Sequence, residues 1–166
     1  KLVVGPCPTQ QYHDYSGIGT EITNCSQTWA VDNSVTGAEK KDPFTGLIWS
    51  NPLWRSDTTI SFSPSSTATF SWNSSSSNNQ NITSPVAGSR TAIQLCADQG
   101  NGWRLPTQKE LMQAYIDGSY WNLTQPANYF WSATDYNSTY AWNVLLSTGY
   151  TSFYTKTNSN LLRCVR

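Results

Sequence analysis

The chain has 166 residues, no formal net charge at neutral pH and only 12% charged residues. It lacks the clustered Lys and Arg of proteins that bind nucleic acids or anionic membranes, so we predict neither partner. No apolar run approaches the roughly 18 residues that a membrane-spanning helix needs, and we expect no membrane insertion by this segment. With 37% hydrophobic residues, including eight Trp and nine Tyr, the chain is predicted to fold as one globular unit.

Residues 1–41 are predicted to form an N-terminal extension that is pinned to a core domain over residues 42–166. The extension carries turn residues and two of the four cysteines, but its role is not evident from the sequence. The chain does not begin with Met, and its only Met is Met112. We therefore expect that a signal or anchor segment was removed, either by processing or by design.

The four cysteines form an even set, Cys7, Cys25, Cys96 and Cys164. In a chain with few charges and many polar runs, such a set is typical of exported proteins, in which disulfides persist. Three pairings are open, and local closure favours Cys7–Cys25. A zinc site is disfavoured because there is no C-x-x-C spacing and His13 is the only histidine. We predict an extracellular or cell-surface protein.

Two helices are predicted in the middle of the chain. The first spans residues 87–98 and ends before a glycine. The second begins at Thr107, because Pro106 disfavours helical angles in the preceding residue and Thr107 has the capping-box spacing with Glu110. This helix is predicted to close near Asp117. Its apolar side is expected to carry Leu111, Met112, Tyr115 and Ile116.

Residues 128–165 are predicted to form three or four short strands. In the segment 140–146 both faces carry apolar residues, so both are expected to be at least partly covered. Trp142 is interpreted as a core residue rather than a ligand platform, because the aliphatic residues on its face favour burial. Trp103 and Trp131 receive the same interpretation.

Five segments, in the correct order, resemble the C-terminal domains of the Legionella collagen-like adhesins. These domains are a branch of the C-type-lectin-like fold, which formylglycine-generating enzymes share. The segments are Asp42 to Trp49 (D-P-F-T-G-L-I-W), Trp103 to Leu111 (W-R-L-P-T-Q-K-E-L), Phe130 to Thr134 (F-W-S-A-T), Ala141 to Val144 (A-W-N-V) and Arg163 to Arg166 (R-C-V-R). The resemblance covers the predicted core domain.

The resemblance implies an α+β, C-type-lectin-like fold, in which two helices flank a short, mainly antiparallel sheet and a disulfide staples the domain. It pairs Cys96 with Cys164, which would tie the end of the first helix to the last strand. Formylglycine-generating enzymes work through free cysteines that bind copper, whereas the cysteines of this chain are better explained as disulfides. The resemblance therefore implies the fold without that chemistry.

Other chemistry has little support in the sequence. A Ser-His-Asp triad would have to use His13, no nucleophile elbow is present, and no spacing singles out a pair of carboxylates. We therefore predict that the protein is not an enzyme and needs no cofactor. Asp42 could ligate calcium together with Asp32, Asn33 or backbone carbonyls. An Asp-Pro pair followed by Thr-Gly is ordinary turn chemistry, however, and the turn is favoured.

A binding surface is predicted near the C-terminus. In residues 134–160, 18 of 27 are Asn, Ser, Thr or Tyr, about twice the share in the rest of the chain. Tyr supplies rigid contact area, and the other three supply adaptable hydrogen bonds, as in evolved recognition loops. Exposed strand faces in a Ser- and Thr-rich protein are the alternative explanation. The candidate ligand-binding residues are Tyr136, Asn137, Ser138, Tyr140, Asn143, Tyr150, Ser152, Tyr154 and Lys156.

This segment also resembles the diversified segment of retroelement-altered variable proteins, which share the lectin-like fold. We therefore expect an adhesin or receptor-tip domain that recognises a glycan or protein on another surface. A pilin-like structural subunit with a lectin-like head is the alternative, and an enzyme is a lesser one. The adhesin branch also makes a homo-oligomer one expectation.

Overall fold

The computed structural model describes residues 28–56, 59–81 and 88–166. The predicted pairing of Cys7 with Cys25 and most of the predicted N-terminal extension lie outside these residues. The described part is α+β, as predicted, with short helices, antiparallel sheets and a disulfide. None of its helices is long and apolar enough to cross a membrane.

The described residues form twelve strands, numbered here in chain order. They are β1 (Ala30–Val31), β2 (Ala38–Lys41), β3 (Ile48–Arg55), β4 (Ile60–Phe62), β5 (Phe70–Ser71), β6 (Gln80–Asn81), β7 (Gly88–Ser89), β8 (Tyr129–Asp135), β9 (Tyr140–Leu145), β10 (Tyr150–Thr155), β11 (Ser159–Asn160) and β12 (Arg163–Val165). The principal sheet has the order β1-β2-β3-β12, with β4 also paired to β3. A second sheet has the order β10-β9-β8, and two small sheets join β11 to β5 and β6 to β7.

The principal sheet brings distant parts of the chain together. Its central strand β3 pairs with β2, β4 and β12, so the last strand lies beside the first motif of the sequence. Strands β1 and β2 belong to the same sheet. The fully buried Trp29, just before β1, donates from its indole Nε1 to the Asp117 carbonyl oxygen at 2.9 Å. The sheet therefore continues across the predicted boundary between residues 41 and 42.

Three α-helices are described, α1 (Ala92–Ala97), α2 (Gln108–Ile116) and α3 (Ser119–Asn122), besides a short 3-10 helix at Ser77–Asn79. The first predicted helix, over residues 87–98, is too long. Strand β7 occupies Gly88–Ser89, and the Thr91 side chain caps the start of α1, so the helix cannot begin earlier. The four-residue α3 is an addition to the two helices that the sequence predicts.

Helix α2 begins as the sequence predicts. Thr107 Oγ1 accepts a hydrogen bond from Glu110 N at 3.3 Å, and Glu110 Oε2 accepts one from Thr107 N at 2.8 Å, which completes the capping box. A hydrogen bond from Arg104 is the main cause that lowers the pKa of Glu110 to about 2. On the predicted apolar side, Ile116 is exposed, and Ala114 lies in the core instead.

Two clusters of buried residues form the core. Trp103 and Trp131 belong to the first cluster, so the prediction that both are core residues is confirmed. The second cluster joins α2 to the sheet of β8 to β10 and includes Leu111 and Val144. The second sheet is thus held between a helix on one face and the first cluster on the other.

A disulfide joins Cys96 to Cys164, with their Cα atoms 5.6 Å apart. This confirms the pairing that the family resemblance implies. The bond connects α1 to β12 across a sequence separation of 68 residues, and both half-cystines are fully buried. Helices α2 and α3 and the whole second sheet lie inside the closed loop.

Arg163, next to Cys164 in the sequence, is a fully buried cation. Its guanidinium pairs with the Glu39 carboxylate and donates to the carbonyl oxygens of Ser50 and Thr124. Burial lowers the pKa of the guanidinium, and the Glu39 charge opposes that shift. Because its partners come from β2, β3 and the loop after α3, this one side chain connects three parts of the fold.

Removing the disulfide should destabilise the domain. We expect Cys96→Ala combined with Cys164→Ala to lower the free energy of unfolding by about 4 kcal/mol, the chain-entropy value for a loop of this length. Denaturant unfolding followed by tryptophan fluorescence measures the change. An unaltered midpoint would show that the bond adds nothing to the fold.

Removing the partner of the buried cation should also be costly. We expect Glu39→Gln to lower the free energy of unfolding by about 3–5 kcal/mol, because the Arg163 charge would remain buried without compensation. The control is Asp135→Asn, which breaks an ion pair with an exposed carboxylate and should cost less than about 1 kcal/mol. Equal losses in the two variants would contradict a special role for the buried pair.

Candidate ligand-binding surface

The candidate binding residues lie on and around the sheet of β8 to β10. Strand pairing places Phe153 opposite Trp142 and Tyr154 opposite Ala141. Opposite residues of an antiparallel pair point to the same face, and successive residues alternate between faces. We call the face of Trp142 and Phe153 the outer face and that of Ala141 and Tyr154 the inner face. The inner face packs against the first core cluster.

Four rings meet on the outer face and are named the aromatic cluster: Tyr136, Tyr140, Trp142 and Phe153. The Tyr136 and Phe153 rings are stacked, with centroids 4.3 Å apart and planes 5° from parallel. Trp142 meets these two rings edge-on at 5.4 and 5.6 Å, and Tyr140 does so at 6.5 and 5.6 Å. Tyr136 is 48% exposed and Phe153 is 42% exposed. The mutual packing fixes the rings while leaving part of their surface to solvent.

The turn between β8 and β9 holds Tyr136 and Tyr140 in place. Asn137 Oδ1 accepts hydrogen bonds from Thr139 N at 2.8 Å and from Tyr140 N at 2.9 Å. Tyr136 N donates to the Tyr140 carbonyl oxygen at 3.0 Å. An Asn side chain that bonds to nearby backbone N–H groups fixes a turn. Asn137 therefore supports the surface, and Ser138 lies exposed at the tip.

Helix α2 covers only one end of the outer face. Thr151 Oγ1 lies 2.8 Å from Met112 Sδ, and Val144 on the same face is fully buried. Trp142, two residues before Val144 in β9, is partly buried within the aromatic cluster. The interpretation of Trp142 as a core residue is therefore only partly confirmed, because its side chain is partly buried but belongs to neither core cluster. The helix buries its aliphatic neighbours but does not extend over the indole.

Four candidate residues lie on the inner face by strand register, namely Asn143, Tyr150, Ser152 and Tyr154. Asn143 is fully buried, opposite Ser152 in β10 and Trp131 in β8. Tyr154 is half-buried and packs against the first core cluster. Because a ligand cannot reach a fully buried side chain, Asn143 is removed from the candidate site.

Lys156, after the end of β10, is engaged by two partners. Its Nζ lies 2.7 Å from Asp135 Oδ1 and 4.3 Å from the centroid of the Trp72 ring. A cation between a carboxylate and an aromatic face gains attraction from both. Lys156 therefore connects the end of β10 to the core and to the neighbouring turn, and its charge is not free for a ligand.

Tyr150 lies at the other end of the sheet from the aromatic cluster. It is 58% exposed, and its ring meets that of Tyr129 edge-on, with centroids 6.4 Å apart. It follows the β9–β10 turn, where Gly149 has φ +70° and a Cβ would lie 2.4 Å from the Tyr115 ring. That turn needs glycine. By strand register Tyr150 shares the inner face with Tyr154, and the Tyr129 ring contacts Tyr154 as well, with centroids 5.7 Å apart.

Phe153 belongs to the surface although sequence reasoning does not select it. The candidate residues were selected from a segment rich in Asn, Ser, Thr and Tyr. A phenylalanine does not meet that criterion, and its apolar side chain would be expected in the core. The signal that identifies Phe153 is the register of the β9–β10 hairpin. Pairing of Leu145 with Tyr150 across the short turn places Phe153 opposite Trp142.

Asp42, considered above as a calcium ligand, is buried and serves the turn between β2 and β3. Its Oδ1 accepts from Phe44 N at 2.8 Å, and its Oδ2 accepts from Thr45 Oγ1 at 2.6 Å. Asp32 Oδ1 accepts from the backbone N and the hydroxyl of Ser34. These are turn interactions, which the sequence favoured. The described residues contain no group of three or more His, Cys, Asp or Glu that could hold a metal, and calcium binding stays a prediction.

A second buried carboxyl group, that of Asp117 at the end of α2, lies beside Asp42. Its Oδ1 accepts from Gln113 Nε2 at 2.9 Å, and its Oδ2 has no donor among the described residues. Burial first, and the Asp42 carboxylate second, raise the pKa of Asp117 to about 6. The neutral acid is therefore the favoured form of Asp117 in mildly acidic solution.

This pair should make stability depend on pH. Folding raises the pKa of Asp117 from 3.8 to about 6, so the folded state holds this proton more tightly than the unfolded state. The contribution of Asp117 to stability is therefore fully present below about pH 4 and is lost as the pH rises through 6. The loss is at most about 3 kcal/mol. Asn does not titrate, so the free energy of unfolding of Asp117→Asn minus that of the wild type should rise between about pH 4 and pH 8. Denaturant unfolding at a series of pH values measures this difference. A difference that is constant with pH would contradict the shifted pKa.

Comparison with known proteins identifies the family. A family model described as the Lcl C-terminal domain matches residues 39–166, which include the principal sheet from β3 onwards, the disulfide and the aromatic cluster. A search of curated proteins found no match. The match covers most of the chain and confirms the resemblance that the five motifs indicate. The chain belongs to the Lcl C-terminal domain family.

Proposed function

We propose that this chain is an extracellular adhesin-type domain that binds a glycan or protein on another surface through the aromatic cluster. Family membership indicates an adhesin-related domain, and the cluster supplies a site for that role. We also propose the C-type-lectin-like fold for the domain. The order of the sequence motifs and the α+β architecture, with its disulfide between α1 and β12, support that assignment.

The observation that carries the proposal is the exposure of Tyr136 and Phe153 on a rigid sheet. Exposed groups of large apolar side chains are a feature of interaction sites, and aromatic residues are enriched there. Their rings provide much contact area for little loss of rotamer freedom. Ser138 and Thr139, exposed at the adjacent turn, add groups that can hydrogen-bond to a ligand.

The disulfide supports a surface or extracellular location. Bonds such as Cys96–Cys164 persist in oxidising compartments and are rare in reducing ones. We further propose that the domain binds without catalysis or a cofactor. His13 lies outside the described residues, and Asp135 and Lys156, the charged groups nearest to the candidate site in sequence, are paired with each other.

Removing either stacked ring should weaken binding. We expect Phe153→Ala and Tyr136→Ala each to lower the affinity of the purified domain for its target cells about tenfold or more, because each ring is part of the small exposed centre of the surface. Flow cytometry of the labelled domain on a panel of bacterial and eukaryotic cells measures this. Thermal unfolding of each variant shows whether the fold is retained.

The matched control is Trp121→Ala. Trp121 is 75% exposed on α3, and α3 lies at the other end of the sheet, where Ser119 Oγ donates to the Leu146 carbonyl oxygen at 3.4 Å. This control should bind like the wild type. Tyr154 is a poor probe because it is half-buried in the core. Full binding by both cluster variants would remove the proposed site.

A further inference from the structure

On the basis of the proposed function, we propose that the aromatic cluster recognises an uncharged glycan, with the C–H face of a pyranose ring packed on the exposed rings. Three features of this surface lead to that ligand class. They are its charge, its size and the chemical groups around it.

The charge of the surface favours a neutral ligand. Residues 118–162 contain only two charged side chains, Asp135 and Lys156, and these pair at 2.7 Å. Lys156 is also held over the Trp72 ring. On the adjacent helix α2, Lys109 is exposed and is the only cation of that helix. Polyanionic glycans gain attraction from clustered cations, which a single lysine does not supply.

The size of the surface favours sugar rings over a protein partner. A fully buried aromatic side chain covers about 150–250 Å². Exposure of 48% at Tyr136 and 42% at Phe153 thus leaves on the order of 100 Å² each. A stable protein interface buries about 800 Å² on each side. The exposed aromatic area is several-fold smaller and is on the scale of one or two pyranose rings.

The groups around the cluster match the two sides of a sugar. Ring surfaces suit its apolar C–H face, and the phenol groups of Tyr136 and Tyr140, with the exposed Ser138 hydroxyl, suit its hydroxyl groups. Hydroxyl groups that a ligand buries need such partners, because an unpaired polar group costs free energy. The stacking at 4.3 Å fixes Tyr136 and Phe153 before binding, so little ordering remains to be done.

The test uses an array of neutral hexose and N-acetylhexosamine oligosaccharides, printed beside sulfated and sialylated forms of the same chains. We expect binding to a subset of the neutral oligosaccharides. For the strongest of these, the dissociation constant should change less than about twofold between about 50 and about 500 mM NaCl, because no ion pair contributes. Binding only to the sulfated or sialylated forms, and its loss at high salt, would overturn the inference.

Variants of the cluster sharpen the test. Phe153→Ala should weaken binding to the selected neutral oligosaccharide about tenfold or more. Phe153→Leu should do the same, since it keeps an apolar side chain but loses the ring. Tyr136→Phe keeps the stack and should stay within about threefold. Lys109→Ala and Trp121→Ala should bind like the wild type, and a loss with Lys109→Ala would indicate an anionic ligand and contradict the proposal.

Cell binding separates failure of this inference from failure of the proposed function. If binding survives enzymatic removal of cell-surface glycans but is still lost with Phe153→Ala, the ligand is a protein and only the glycan inference falls. If cell binding is unaffected by Phe153→Ala, the site itself is wrong and both proposals fall. Loss of binding both after glycan removal and with Phe153→Ala supports both.

Discussion

The disulfide between Cys96 and Cys164 is the constraint on which the position of the candidate binding surface depends. The disulfide attaches α1 to β12, and β12 in turn pairs with the central strand of the principal sheet. Beside it, the buried Arg163 binds Glu39 and backbone carbonyls from two other parts of the fold. A covalent bond and a buried ion pair thus hold the end of the chain. The second sheet lies within the closed loop, and its outer face carries the aromatic cluster.

Within the second sheet, the two faces have different roles. The inner face, with Asn143 buried and Tyr154 half-buried, completes the core. The outer face is covered by α2 near Val144 but is open at the aromatic cluster. One helix that is shorter than the sheet therefore creates the exposed aromatic surface. Cross-strand packing keeps the rings in place without a helix above them.

Local rules were sufficient for some of the structure. The start of α2 follows from the capping box of Thr107 and Glu110, because a cap involves residues that are close in sequence. The disulfide came from the family resemblance, since spacing alone left three pairings open. The candidate site was only partly predictable, because composition does not tell which face of a strand a residue occupies. For that reason Asn143 was wrongly selected and Phe153 was not selected, and only the strand register places them.

Hydroxyl-radical footprinting of the domain on its target cells tests the account most directly, because it reports which aromatic rings a ligand covers. We predict that oxidation of Tyr136 and Phe153 falls on binding, while oxidation of Trp121, which is more exposed and lies at the other end of the sheet, does not change. Protection of Trp121 together with unchanged oxidation of Tyr136 and Phe153 would contradict it, since the ligand would then occupy a different surface of the domain.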